Sequence, residues 1–102
     1  MAKGYWIAHV DVSNAEEYKK YVDANGAAFK KYKAVCLARG GKSEAVEGVG
    51  RSRNVIWEFP SYQDALDCYR STEYQSAKAF RDGHGIGEFI MVEGLADGPA
   101  PA

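Results

Sequence analysis

RNVIWEFPSYQDALDCYRSTEYQ, residues 53–75, is where the reading starts. Asn54 to Phe59 has the composition of a strand, with β-branched and aromatic side chains crowded together. Pro60 has no N–H to give a ladder and ends it. Ser61 then caps a helix, with Asp64 close to the positive end of the helix dipole. Tyr62, Ala65, Leu66 and Tyr69 form the apolar stripe of that helix. Ser71 or Thr72 starts a second helical segment, with Tyr74, Ala77 and Phe80 expected to face inward. The strand has large apolar residues on both faces, and one carboxylate, Glu58, stands among them. A sheet built from such strands needs cover on both sides.

The stretches on either side repeat the theme. Gly4 to Val12, GYWIAHVDV, is a strand with Tyr5, Ile7, His9 and Asp11 on one face. Trp6, Ala8, Val10 and Val12 take the other. Ser13 with Glu16, or Asn14 with Glu17, makes a capping box for a helix. Tyr18, Tyr21, Val22, Ala28, Phe29 and Tyr32 run down one side of it, and lysines and Asp23 down the other. Asn25-Gly26 predicts a kink or break, since glycine costs about 1 kcal/mol against alanine inside a helix. Ala34 to Arg39 is a second strand, and Gly40-Gly41 a bulge or turn after it. Glu44 to Glu47 has the pattern to resume that strand. Asp82 to Gly85 is a stop signal, and Glu88 to Glu93 is a fourth strand, apolar on both faces. Residues 1–94 are expected to form a single domain, with 95–102 a flexible tail of small residues and proline.

Composition narrows the function. The formal net charge is −1, with no basic excess to neutralise phosphates, which argues against nucleic acid as a partner. No apolar run is long enough to span a bilayer, so no membrane partner is expected. Met1-Ala2-Lys3-Gly4 leads straight into a strand without the shape of a signal peptide, and a cytoplasmic location is expected. Cys36 and Cys68 form no C-x-x-C pair and are expected to be reduced, small, packed side chains. No H-x-H or H-E-x-x-H spacing points to a metal, and no cofactor is expected.

The order of elements is β-α-β-β-α-β, the ferredoxin-like pattern of an α+β protein. One antiparallel four-stranded sheet then carries both helices on a single face, with the first and third strands side by side in its centre. Tyr5, Ile7, Ile56, Ile90 and Val92 are left on the other face, a larger apolar patch than a soluble monomer tolerates. A second copy supplies the cover, and the expected assembly is a homodimer, two sheets face to face in a barrel-like core.

Several segments also resemble one family. They are Gly4-Tyr5-Trp6-Ile7-Ala8, Arg39-Gly40-Gly41, Arg53-Asn54-Val55, Glu58-Phe59-Pro60-Ser61, Tyr69-Arg70-Ser71 and Glu73-Tyr74-Gln75. Together they are similar to the domain of unknown function 1330 family, from about Lys3 to Gly94. Thr72 stands where such sequences often have proline. The resemblance implies the dimeric α/β-barrel superfamily, which includes small monooxygenases and dismutase-like haem proteins. It implies no assigned activity.

Strand parity places His9, Asp11, Asn54 and Glu58 on the face away from the helices. Neighbouring central strands would bring His9 and Asp11 near Glu58, with Arg39 in reach. Glu58, His9 and Asp11 are therefore the candidate proton-transfer residues. A burial-raised pKa would make Glu58 an acid or base, and pairing would make it an anchor. Arg39, Asn54, Arg53, Tyr69, Ser71 and Tyr74 are candidate ligand-binding residues. Two functions fit. One is a small-molecule site in the cavity between the sheets, with cofactor-free oxygenase-like or isomerase-like chemistry. The other is a non-catalytic dimeric structural or stress-associated protein, its polar residues fixing the register of the dimer.

Overall fold

A computed structural model describes residues 2–102. The order is β1 (Gly4–Val12), α1 (Ala15–Lys31), β2 (Val35–Arg39), β3 (Arg53–Phe59), α2 (Tyr62–Arg70), α3 (Thr72–Arg81) and β4 (Gly85–Glu93). The four strands make one antiparallel sheet in the order β2-β3-β1-β4, as the ferredoxin-like pattern requires. Three helices lie on one face. The expected second helix is two pieces that share Ser71, whose Oγ donates to the Cys68 carbonyl at 2.6 Å and accepts from the Tyr74 amide at 3.1 Å.

The core lies between the sheet and the helices. Trp6 is at its centre, with rings of Phe29, Phe59, Tyr69 and Tyr74 around it at centroid distances of 4.9 to 5.9 Å. Its indole N–H donates to the Ala65 carbonyl at 2.8 Å, so burial leaves no polar atom orphaned there. Gly4 is where the start of β1 meets the N-terminus of α2, and a Cβ there would collide with the Ser61 carbonyl. The pairing register confirms the parity of the central strands: Ile7 is opposite both Ile56 and Ile90, and Tyr5 opposite Val92, all on the open face. Ile90 is 52% exposed and Ile86 70%.

Three local expectations are corrected. The first is that α1 runs unbroken through Asn25-Gly26. Gly26 costs about 1 kcal/mol, but fully burying a side chain such as Phe29 gains about 1.5–3. Phe29 is buried and stacks on Trp57 at 3.9 Å, which needs the helix to continue. The second is that Glu44 to Glu47 forms no strand: Gly40, at φ +68, turns the chain out, and residues 40–50 are exposed. Asn14, of the two capping registers, is the N-cap, accepting from the Glu17 amide. The third is that Phe80 faces solvent and Arg81 takes the inward place, because Tyr74, Ala77 and Arg81 share one side of α3.

Arg81 is 7% exposed, with its guanidinium 4.3 Å from the Phe89 ring and 5.1 Å from that of Tyr21. It donates to the Tyr74 hydroxyl at 3.3 Å, and its Nε has no partner. The Tyr74 hydroxyl in turn shares a 2.7 Å hydrogen bond with that of Tyr21. Burial first, and then the Tyr21 hydroxyl, hold the Tyr74 pKa far above the usual tyrosine range.

Candidate functional site

Four side chains from the open face of the sheet meet at one end of it. His9 and Asp11 come from β1, Asn54 from β3 and Glu88 from β4, with His9 opposite both Asn54 and Glu88. Alternation along each strand puts them on the same face. The loop over residues 40–52 rises beside them and borders an open cleft of about 1100 Å³.

Hydrogen bonds define the floor of this cleft. His9 Nδ1 lies 2.6 Å from Asn54 Oδ1. Asn54 Nδ2 donates to the Arg51 carbonyl at 3.2 Å, which fixes the amide with its oxygen toward the imidazole. An amide oxygen only accepts, so Nδ1 carries the proton. In the neutral ring Nε2 then holds the lone pair and is the basic nitrogen.

Arg51 fastens the loop to the sheet. Its Nε and Nη2 donate to the two Glu88 oxygens at 2.9 Å each, and its Nη1 donates to Asp11 at 2.9 Å. The other Asp11 oxygen accepts from the Ser52 amide at 3.0 Å. That amide first, and then the Arg51 guanidinium, hold the Asp11 carboxyl below the usual carboxylate range. The Arg51 guanidinium does the same for Glu88.

Glu58 stands apart from this group. Its strand partner is Tyr5, whereas that of His9 is Asn54. Four residues of strand separate the two pairs, about 13 Å. The expected meeting of His9 and Asp11 with Glu58 is therefore corrected: the side chains share a face but occupy opposite ends of it. Glu58 accepts from the Tyr5 hydroxyl at 3.2 Å and lies 3.8 Å from Lys3. Desolvation, and then Glu58, raise the Tyr5 pKa.

Arg39 does not reach Glu58 either. It pairs with Val55, which is buried on the helix side, and Arg53 pairs with Val10 on that same side. A slip in register between Cys36 and Ala38 decides the face of Arg39. Tyr69, Ser71 and Tyr74 do not line the cleft and lie at the helix junction and in the core. Arg51 and Glu88 were not among the expected site residues. Alternation with Ile90 and Val92 on β4 was the signal for Glu88, and Arg51, in a loop, had none.

Both cysteines are free. Cys68 is buried, and that burial pushes its thiol up to about 12. Among the described residues, no group of three or more His, Cys, Asp or Glu is placed to hold a metal ion. None of the described helices is long and apolar enough to cross a membrane.

Residues 3–95 match the family described as Domain of unknown function (DUF1330). The chain belongs to this family. The search of curated proteins finds no match. Among solved structures, this DUF1330 chain is similar to a protein of unknown function from Rhodopseudomonas palustris, with a TM-score of 0.75 and 18% identity, over 92% of this chain and 83% of that one. It is also similar to SnoaB, a cofactor-independent oxygenase from Streptomyces nogalater, at 0.65 and 9%, over 90% and 92%. A third is a dimeric protein of unknown function with a ferredoxin-like fold from Bacteroides fragilis, at 0.54 and 13%, over 89% and 95%. At these identities the likeness concerns the fold of the DUF1330 chain.

Proposed function

We propose that the protein is a homodimer that binds a small organic molecule in the cleft above His9, and that His9 Nε2 takes a proton from it. One observation carries the reading: His9, at the floor of a roomy cleft, is held in a single tautomer by Asn54. A fixed base at the edge of an apolar sheet suits abstraction of a proton from an activated C–H or phenolic O–H. The carbanion or phenolate so formed can be reprotonated elsewhere, as in an isomerase, or pass an electron to dioxygen, as in a cofactor-free oxygenase. Arg51, already tied to two carboxylates, holds the cleft wall in place. Glu58, bonded to Tyr5, is an anchor in this reading.

The dimer rests on the open face. Tyr5, Ile7, Ile56, Ile90 and Val92 form an apolar band beside the cleft, and a second sheet laid on it would exclude water from the neighbourhood of His9. The description of the Bacteroides fragilis protein as dimeric lends support.

The test is chemical-shift mapping with a panel of phenols and β-keto acids, beside native mass spectrometry of the protein as purified. The expected result is a compound that shifts His9, Asn54 and Arg51 together and loses affinity or turnover in His9→Gln. A folded dimer in which no compound reaches the cleft would leave the non-catalytic reading in its place.

A further inference from the structure

A second site lies on the opposite face of the sheet from the His9 cleft. Between the sheet and α1, the rings of Tyr18, Trp57 and Phe29 wall a cavity that is also lined by Arg39 and Arg53 and by no carboxylate. Arg39 ends β2 and Arg53 begins β3, so the two are diagonal neighbours on one face, roughly 7–8 Å apart and somewhat closer at their Cβ atoms. Like charges so placed repel one another unless an anion stands between them.

Three details show that Arg53 is held in place against Tyr18 while its Nε stays unpaired. Its guanidinium lies 5.5 Å over the Tyr18 ring. Its Nε is buried with no acceptor. Gly40, pinned by its amide to the Asn54 carbonyl at 2.9 Å, leaves the room that Nη1 occupies, since a Cβ there would lie 2.7 Å from it. A buried donor without an acceptor is destabilising, and a bound anion would recover that loss.

We propose that Arg39 and Arg53 bind a small monocarboxylate at this site. The guanidinium fork matches the two oxygens of a carboxylate and leaves the apolar end against the rings. Asn25, on the α1 wall, adds an amide donor from the other side. The free space is small, about 30 Å³. Long or branched acids are excluded.

Acetate is the probe, titrated against chloride at constant pH and ionic strength and followed in proton–nitrogen spectra. The expected result is a saturable shift of the Arg53 Nε–H and Trp57 indole signals with acetate only. Arg53→Gln is expected to abolish it, and Arg39→Gln to weaken it by about tenfold or more, the scale of one charged hydrogen bond. His9→Gln should leave it unchanged, because the two sites lie on opposite faces. Should Arg53→Gln fail to fold, the exposed Arg39 carries the test alone. The same unsaturable drift with both salts overturns the proposal, as does undiminished binding in Arg39→Gln, or loss of binding in His9→Gln.

Discussion

Asn54 settles which nitrogen of His9 carries the proton. Its amide oxygen lies 2.6 Å from Nδ1, and its amide nitrogen is committed to the Arg51 carbonyl. The base of the cleft is thus built from a strand pair and one loop carbonyl, with no carboxylate behind the imidazole.

Replacing that base should remove the chemistry and keep the fold. His9→Gln retains size and polarity, and a proton-transfer rate measured on any substrate from the panel should fall by about 10²–10⁴-fold. Asn54→Leu should give a smaller loss and a change in the His9 nitrogen shifts, showing both tautomers. An unchanged rate in His9→Gln, with the protein folded, would remove His9 from the mechanism.

The open face should behave as an interface. Sedimentation at micromolar concentration should show a dimer, with a total interface above roughly 1,200 Å². Ile90→Asp, on a side chain that is 52% exposed in the single chain, should yield folded monomer. The buried charge opposes association and leaves the fold of one copy intact. A monomeric parent protein would contradict the assembly.

Acid should release the loop over residues 40–52. Asp11 and Glu88 have carboxyl pKa values lowered in the folded protein from ordinary values of 3.8 and 4.5. Groups lowered on folding contribute above the ordinary value and lose that contribution as pH falls through the folded one. The signals of Ser52 and Arg51 should therefore hold steady down to about pH 4 and move below it. Arg51→Ala should reproduce the released spectrum at neutral pH. High salt should have a like, weaker effect on these exposed pairs.

Arg81 should tolerate a long apolar replacement better than a short one. Arg81→Ala empties the space between Tyr21 and Phe89 and should cost about 2–3 kcal/mol in denaturant unfolding. Arg81→Met fills it, removes a buried charge that has no anionic partner, and should stay within about 1 kcal/mol of the parent. A loss as large as that of alanine would show that the cation itself is what counts.

The thiols should differ sharply in reactivity. With its pKa pushed up to about 12, Cys68 should resist alkylation at pH 8 while the protein stays folded. Cys36, half-buried near the sheet edge, should react first, as peptide mapping would show.

Much of the architecture could be read from periodicity and caps. Ser61 and the alternation in β1 and β3 are short-range signals that nothing in the tertiary structure reverses. Gly26 misled because a local cost was weighed without the burial of Phe29 that offsets it. Helical spacing points to Phe80 as the inward residue after Ala77, yet Arg81 takes that place, with its stem and guanidinium packed between rings. In the site, parity placed His9, Asp11, Asn54 and Glu58 on one face. Position along the strand separated Glu58 from the others, and only the pairing register reveals that. Arg51 was out of reach, since a loop side chain has no period to betray its direction.

The central place of β1 governs the timing of folding. It is the earliest strand in the chain, yet it must wait for β3, which starts at Arg53, and for β4, which starts at Gly85. On the ribosome its second edge stays unpaired until β4 has been made, so closure of the sheet joins distant segments and is slow. During that interval the strand is exposed to wrong pairing, including with the β1 of a neighbouring chain.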